Sequence, residues 1–359
     1  MRRAGRKIAV ALVAALLMGG AAGTYWALGY PERPRTGDGR LVEVSVAPGE
    51  SFAQVAGRLH DRGVIDHPRL FRIYAHRRGV ANQIRSGTYT LHDDMRPREV
   101  VDVLIEGAPD ETIAVTIPEG YHMLEAFERI DGRGIASRAD LESLAFDESF
   151  LRDQGIQGPS AEGFLFPDTY DFRAPTPPQD VLRRMIIRHR EVWNDVREAH
   201  AASYQRLREE LDWTEREFIV MASIVEKEAR KADESPRIAQ VFINRLTSSR
   251  FRPRLLQTDP TIRYGCMVPL GGEPAGCRGW EPTDRLRRAQ LDDADNPYNT
   301  YQHEGLPPSP IALPGRTALE ATVSPDGSDY LYFVSRNDGT HVFSRTYAEH
   351  ARAVDRYQR

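Results

Sequence analysis

The stretch Thr214-Glu215-Arg216-Glu217-Phe218-Ile219-Val220-Met221-Ala222-Ser223-Ile224-Val225-Glu226-Lys227-Glu228 sets an acidic side chain at the end of an apolar run. Its start reads as a helix N-terminus. Thr214 and Glu217 have capping-box spacing, and Trp213 and Phe218 stand where a hydrophobic staple would pin the first turn. At about 100° per residue, Ile219, Ala222, Ser223 and Glu226 share one stripe, while Glu228 lies about 200° beyond Glu226. A carboxyl group at the end of such a stripe loses hydration, which disfavours its charged form and raises its pKa. That suits a general acid near neutral pH. The alternatives are a surface glutamate paired with Arg230 one turn on, or a buried structural carboxylate.

Helical and strand periodicities extend the reading in both directions. Ser235 and Pro236 give an N-cap and a first-turn proline, and Ile238, Val241, Phe242 and Leu246 mark the buried face of the next helix. Upstream, Leu182, Met185, Ile186, His189, Val192, Trp193 and Val196 form the stripe of one long helix expected over 179–211, with His189 packed rather than ligating. Near the C-terminal end, residues 330–334 and 341–343 predict a hairpin around Asn337-Asp338-Gly339, and Thr346 with Glu349 caps a last helix.

The first third reads as a small α+β unit: a strand over 41–46, a turn at Pro48-Gly49-Glu50-Ser51, helices from Phe52, over 68–77 and over 97–106, and a strand over 87–91. A partial repeat follows it. Val115, Ile117, Gly120, Met123, Ala126, Arg129 and Ile130 match Val44, Val46, Gly49, Phe52, Val55, Arg58 and Leu59, each 71 positions on (115 − 44). The shared pattern is strand, glycine turn, helix. It predicts packing rather than catalysis, whether it is a duplicated half-module or a common βα unit.

Arg2, Arg3, Arg6 and Lys7 precede an uncharged apolar stretch from Ile8 to Tyr30. At about 1.5 Å per residue its 23 positions would cross a hydrocarbon core roughly 30 Å thick. Basic residues before the span favour residues 1–7 in the cytoplasm and the body outside, with Tyr25, Trp26 and Tyr30 at the outer interface. Ala21-Ala22-Gly23 offers a signal-peptide cleavage site as the alternative, but the apolar run continues past it. The expectation is therefore a single-pass anchor over 8–30 in the cell (inner) membrane and a linker over 31–40.

With 48 Lys and Arg against 52 Asp and Glu, a net charge of −4 gives no whole-chain field for nucleic acid. Cys266 and Cys277 could close a small loop in an oxidising space, worth on the order of 2–3 kcal/mol. No second cysteine pair completes a zinc site, no phosphate loop occurs and the histidines are scattered, so neither metal nor cofactor is expected.

Polar groups gather in Leu256-Gln257-Thr258-Asp259-Pro260-Thr261, in Tyr298-Asn299-Thr300-Tyr301, and in the rigid Gly305-Leu306-Pro307-Pro308-Ser309-Pro310-Ile311. Aromatic faces beside amides suit sugar rings, although such a segment taken alone is more often structural than functional. Taken in order with residues 222–228, Val241-Phe242-Ile243-Asn244-Arg245-Leu246, Glu162-Gly163-Phe164-Leu165-Phe166-Pro167-Asp168-Thr169 and residues 330–334, they closely resemble the YceG-like endolytic murein transglycosylases, the MltG family. The resemblance covers roughly residues 41 to 357.

The resemblance implies a membrane-anchored α+β protein: a LysM-like module over 41–107, a connecting region over 108–178 and a lysozyme-like mixed α/β catalytic domain over 179–359. It implies cleavage of the β-1,4 bond between N-acetylmuramic acid and N-acetylglucosamine, ending in a 1,6-anhydro sugar, with peptidoglycan synthases as neighbours. The family's catalytic glutamate carries over to Glu226. Gln257, Thr258, Asp259, Tyr298, Asn299, Tyr301, Ser223 and Glu162 are the expected substrate-binding residues. Two other readings stay open, a hydrolytic muramidase using Asp259 as second carboxylate and a non-catalytic glycan-binding scaffold. Residues 264–280 depart from the family pattern.

Overall fold

Alternate burial along Leu41–Val46 (β1), with Val42, Val44 and Val46 turned inward, sets the first sheet. It pairs antiparallel with Gly87–His92 (β2), Val44 opposite Tyr89. Phe52–Asp61 (α1) and Pro68–Arg78 (α2) lie between the strands in the chain, and Pro97–Glu106 (α3) follows them. Ser51 opens α1 as a capping box, its hydroxyl accepting from Gln54 N while its own N–H donates to the Gln54 side chain. Phe52, Leu59, Phe71, Leu91, Val100 and Leu104 meet in one core. The computed structural model describes residues 28–108, 112–268, 270 and 272–358, and the chain divides into two units after Glu111.

Residues 8–27, which hold most of the expected span, lie outside the described residues. Among those described, no helix is long and apolar enough to cross a membrane. Tyr30, expected at the membrane interface, is 6% exposed in the first core and donates its hydroxyl to the His67 carbonyl at 3.3 Å. The segment expected as a linker is also tied down. Arg35 pairs with Asp66 at 2.7 Å, and Arg40 N donates to Asp93 Oδ1 at 3.0 Å.

The second unit begins with Ile113–Thr116 (β3), antiparallel to Thr169–Phe172 (β4). Between them run Met123–Asp131 (α4), Arg138–Ala145 (α5) and Glu148–Asp153 (α6). Pro178–Ala199 (α7), Ala201–Leu211 (α8), Glu215–Glu228 (α9), Ser235–Thr247 (α10), Asp259–Met267 (α11), Arg288–Leu291 (α12) and Arg316–Val323 (α13) follow. The hairpin Tyr332–Ser335 (β5) and His341–Ser344 (β6) and the helix Tyr347–Tyr357 (α14) close the chain. Among the described residues, three separate two-stranded antiparallel sheets amid many helices make the architecture α+β.

α9 runs through the middle. Every residue from Phe218 to Val225 is buried, so the helix is covered all round, with α10, α11 and α13 packed on it. Its start follows the capping logic: Thr214 N donates to the Glu217 carboxylate at 2.8 Å, and the Trp213 and Phe218 rings meet edge-on at 5.2 Å.

One expectation changes. The single helix over 179–211 breaks at His200 (φ −118°, ψ 29°), and the bend lays Tyr204 edge-on against Trp193, with ring centroids 5.8 Å apart, and 5.0 Å from Phe218. Ile117, Phe127 and Phe164, from the region over 108–178, belong to the same core cluster as Val192 and Val220. Cys266 and Cys277 form a disulfide, with Cα atoms 5.3 Å apart.

Gly163 marks where the loop around Pro310 presses on α9. Its φ is +81°, and a Cβ there would lie 2.4 Å from Pro310 Cβ and 3.1 Å from Ile219 Cγ2. Gly163→Ala is expected to destabilise by about 2–4 kcal/mol, combining left-handed strain with overpacking. Gly134→Ala, where φ is +68° and nothing lies within 4 Å, serves as the control. It carries the strain alone, about 1 kcal/mol. Urea midpoints of the two variants check this, and equal losses would contradict the packing account.

Candidate active site

Three residues of the α9 stripe meet the loop before α13 in succession. Ile219 faces Gly163 and Pro310. Ser223 Oγ accepts from Ile311 N at 2.9 Å and donates to the Val220 carbonyl at 2.7 Å. Glu226 Oε2 accepts from Gly315 N at 3.0 Å. The spacing i, i+4, i+7 puts these three side chains on one face, and a single loop reads that face.

The loop is stiffened from both ends. Arg216, in the first turn of α9, donates to the Pro308 carbonyl, and Tyr298 and Ser309 share a hydroxyl hydrogen bond of 2.6 Å. Leu313 N donates to the Tyr121 carbonyl at 2.7 Å, and the Leu313 carbonyl accepts from Gly120 N at 3.0 Å. This short ladder draws the turn Glu119-Gly120-Tyr121 beside Glu226. Gly120 has φ +76°, and a Cβ on it would stand 3.7 Å from Glu226 Cγ and Oε1. Lys227 Nζ donates to the Gly120 carbonyl at 2.9 Å.

Glu226 thus lines a cleft of about 470 Å³ with Glu119, Gly120, Tyr121, Glu125, Lys227 and Arg230. The group is half-buried. Burial pushes its carboxyl above the usual range, the Gly315 N–H works in the opposite direction, Glu119 pushes further up and Lys227 down. Among the described residues, Glu226 forms no ion pair with Arg230.

A second cleft of about 550 Å³ adjoins it and shares Glu125, Lys227 and Arg230. Glu228, His122, Asp259, Arg263, Tyr264 and His341 line it. Thr258 Oγ1 donates to Glu228 Oε1, burial raises the Glu228 carboxyl, and Asp259 pushes the same way. Tyr301 reaches this cleft's edge by donating to Asp259 Oδ1 at 2.8 Å.

The remaining expected residues lie beneath or beside these walls. Gln257 is exposed, in a left-handed conformation (φ 55°) that non-glycine residues seldom adopt, with its N–H on the Thr300 carbonyl at 3.0 Å. Tyr298 is 1% exposed, its ring 5.0 Å from that of Tyr264. Asn299 is fully buried. Its amide donates to the carbonyls of Gln290, Leu291 and Asp293 at 3.0, 3.1 and 2.8 Å, and its oxygen accepts from Tyr301 N at 3.0 Å.

Glu162 is also fully buried, accepting from Met123 N at 3.1 and 3.0 Å and from the Tyr264 hydroxyl at 3.1 Å. The fold therefore places Glu226 on one cleft and Asp259 on the other, with Thr258 and Tyr301 holding carboxylates of the second. Ser223, Tyr298, Asn299 and Glu162 form the frame.

The sequence offered no signal for Glu119 or Gly315, and helical spacing set Glu228 aside as off the Glu226 stripe. Gly120 had a signal in the repeat, but a repeat predicts a turn and not its neighbour. Among the described residues, no three His, Cys, Asp or Glu side chains stand close enough to hold a metal ion.

A carboxyl group raised by burial, oriented by one backbone N–H and facing an open cleft is a general-acid arrangement built on an α+β unit. Residues 44–356 match the YceG-like family, and the chain belongs to it. It is 29% identical over 334 residues to an endolytic murein transglycosylase of Bacillus subtilis (strain 168), spanning 88% of this chain and 84% of that protein. It is 25% identical over 342 residues to an endolytic murein transglycosylase of Streptococcus pneumoniae serotype 2 (strain D39), covering 88% of this chain and 58% of that longer protein. A YceG-like protein of Listeria monocytogenes, solved at 2.6 Å, superposes with a TM-score of 0.53 at 27% identity over 88% of this chain and all of that one.

Burial raises Glu162 from 4.5 to about 8. A raised carboxyl contributes stability that is complete below its unfolded pKa and is lost as pH climbs through the folded value. Wild-type stability is thus expected to fall between pH 4.5 and about 8 more steeply than that of Glu162→Gln. Urea midpoints of both proteins across that range measure the difference, and parallel curves would contradict it.

Proposed function

We propose that this chain is an endolytic lytic transglycosylase acting within peptidoglycan glycan strands, with Glu226 as both acid and base. The observation that carries the reading is the Glu226 carboxyl itself: half-buried, raised by burial, and aimed by Gly315 N–H over an open cleft. The family and the names of the relatives support the substrate class. The two adjoining clefts give room for sugars on either side of the scissile bond.

In this mechanism protonated Glu226 donates to the glycosidic oxygen as the bond to C1 of the muramic acid breaks, and the leaving sugar departs as an alcohol. The N-acetyl oxygen of the same muramic acid stabilises the electron-poor C1. Glu226, now a carboxylate, removes the proton from the C6 hydroxyl, and O6 closes on C1. The product is a 1,6-anhydro end, the acid is regenerated, and water is not consumed. The Gly315 N–H stabilises the carboxylate half of this cycle and burial the acid half. A hydrolase would need a second carboxylate placed to activate water. Asp259 is engaged by Tyr301 and lines the neighbouring cleft.

The strand–helix–helix–strand order of residues 41–92 supports reading 41–107 as a LysM-like, glycan-binding module. The apolar run from Ile8 supports a single inner-membrane anchor with the body outside, and action on nascent strands would make peptidoglycan synthases its neighbours.

Purified full-length protein incubated with sacculi is expected to release fragments lighter by one water than muramidase products, as read by mass spectrometry. Glu226→Gln should fold normally and lose about 100- to 10,000-fold in rate. Wild-type kcat/KM should fall as pH rises through a Glu226 pKa above the ordinary carboxylate range. Fragments with ordinary reducing ends would replace the lyase with a hydrolase, and turnover surviving in Glu226→Gln would remove that residue from the role.

A further inference from the structure

Gly315 stands between two carboxyl groups. Its N–H donates to Glu226 Oε2 at 3.0 Å. The space its absent side chain would occupy belongs to Glu119, whose Oε1 lies 2.0 Å from the point where a Cβ would be. Any residue other than glycine at 315 would displace that carboxylate. Glu119 is exposed, lines the same cleft as Glu226, and forms no hydrogen bond or ion pair among the described residues. Its turn is held in place, because Gly120 N donates to the Leu313 carbonyl at 3.0 Å and the Gly120 carbonyl accepts from Lys227 at 2.9 Å.

We propose that Glu119 is a positioning residue of the active site: seated against Gly315, its carboxylate sets a fixed negative charge beside Glu226 and favours the acid form of that group between turnovers. The proposal rests on Glu226 being the acid and deepens that reading. One residue separates the two carboxyls, so their facing oxygens stand no more than about 7.5 Å apart, close enough for one charge to act on the other. Burial pushes the Glu226 carboxyl upward, and the negative charge of Glu119 adds to that push.

The other groups facing the site differ in their engagements. Glu125, from α4, accepts from His122 N at 2.9 Å. Lys227 acts against Glu119 and is drawn to the Gly120 carbonyl. Arg230 and Tyr121 line the cleft, while Arg316, next to Gly315, turns to Asp195 at 3.0 Å and Glu320 at 3.6 Å.

The test follows the Glu226 carboxyl in two ways, by the pH profile of kcat/KM on sacculi and by carbon NMR of full-length protein labelled in its glutamate carboxyls. Glu226→Gln identifies the resonance. In Glu119→Gln the Glu226 titration and the alkaline limb are expected to move together to lower pH by roughly 0.5–1 unit, and in Glu119→Asp by less. Added salt should lower the wild-type titration more than that of Glu119→Gln, because an exposed charge is screened. The wild-type salt series needs no variant to fold.

An unmoved Glu226 titration in Glu119→Gln overturns the proposal. So does a uniform loss of rate at every pH with the limb in place, which would leave Glu119 a structural part only. If the wild type cuts no glycan, the functional reading fails, while the NMR titration still decides the role of Glu119.

Discussion

The hydrogen bond from Gly315 N–H to Glu226 is the constraint on which the site depends. Burial alone would hold the carboxyl neutral, and a neutral group that cannot ionise is of no use as a base. The N–H supports the charged form and fixes the oxygen that bears it. Its placement needs three features at once: a helix covered all round up to Val225, a proline-rich loop held to that helix through Ser223 and Arg216, and the ladder between Leu313 and residues 120–121. Loss of either of the last two would leave Glu226 on its helix but unoriented.

The repeated strand–turn–helix unit shows how one local structure takes two roles. Gly49 and Gly120 have nearly the same φ, 77° and 76°. Around the first, an added Cβ would meet nothing within 4 Å; around the second it would meet Glu226. Sequence periodicity described both turns correctly as turns. What stands opposite each is a matter of long-range packing, which carries no local pattern.

The same limit applies to the polar motifs. Tyr298 and Asn299 have the chemistry to hold a sugar, yet the fold spends them on Ser309 and on three carbonyls around residues 290–293. Buried polar groups must find partners within the protein, and a rigid loop with few strands to pair with needs many of them. A motif rich in amides and hydroxyls therefore reports a demanding backbone as readily as a ligand. Glu162 is the extreme case, a carboxyl enclosed beneath the cleft and clamped by Met123 and Tyr264.

Local chemistry was legible in the chain without coordinates: the capped start of α9, the stripe ending at Glu226, the hairpin about Asn337-Asp338-Gly339, and the α+β character. Each depends on contacts within a few residues, where side-chain spacing maps directly onto geometry. Beyond the reach of spacing were the break at His200, the single core running from Ile117 to Val323, and the meeting of residues 119–120 with 226 and 315. The last two depend on segments nearly 200 positions apart, brought together because burying α9 on every side leaves the chain few other ways to cover its open end.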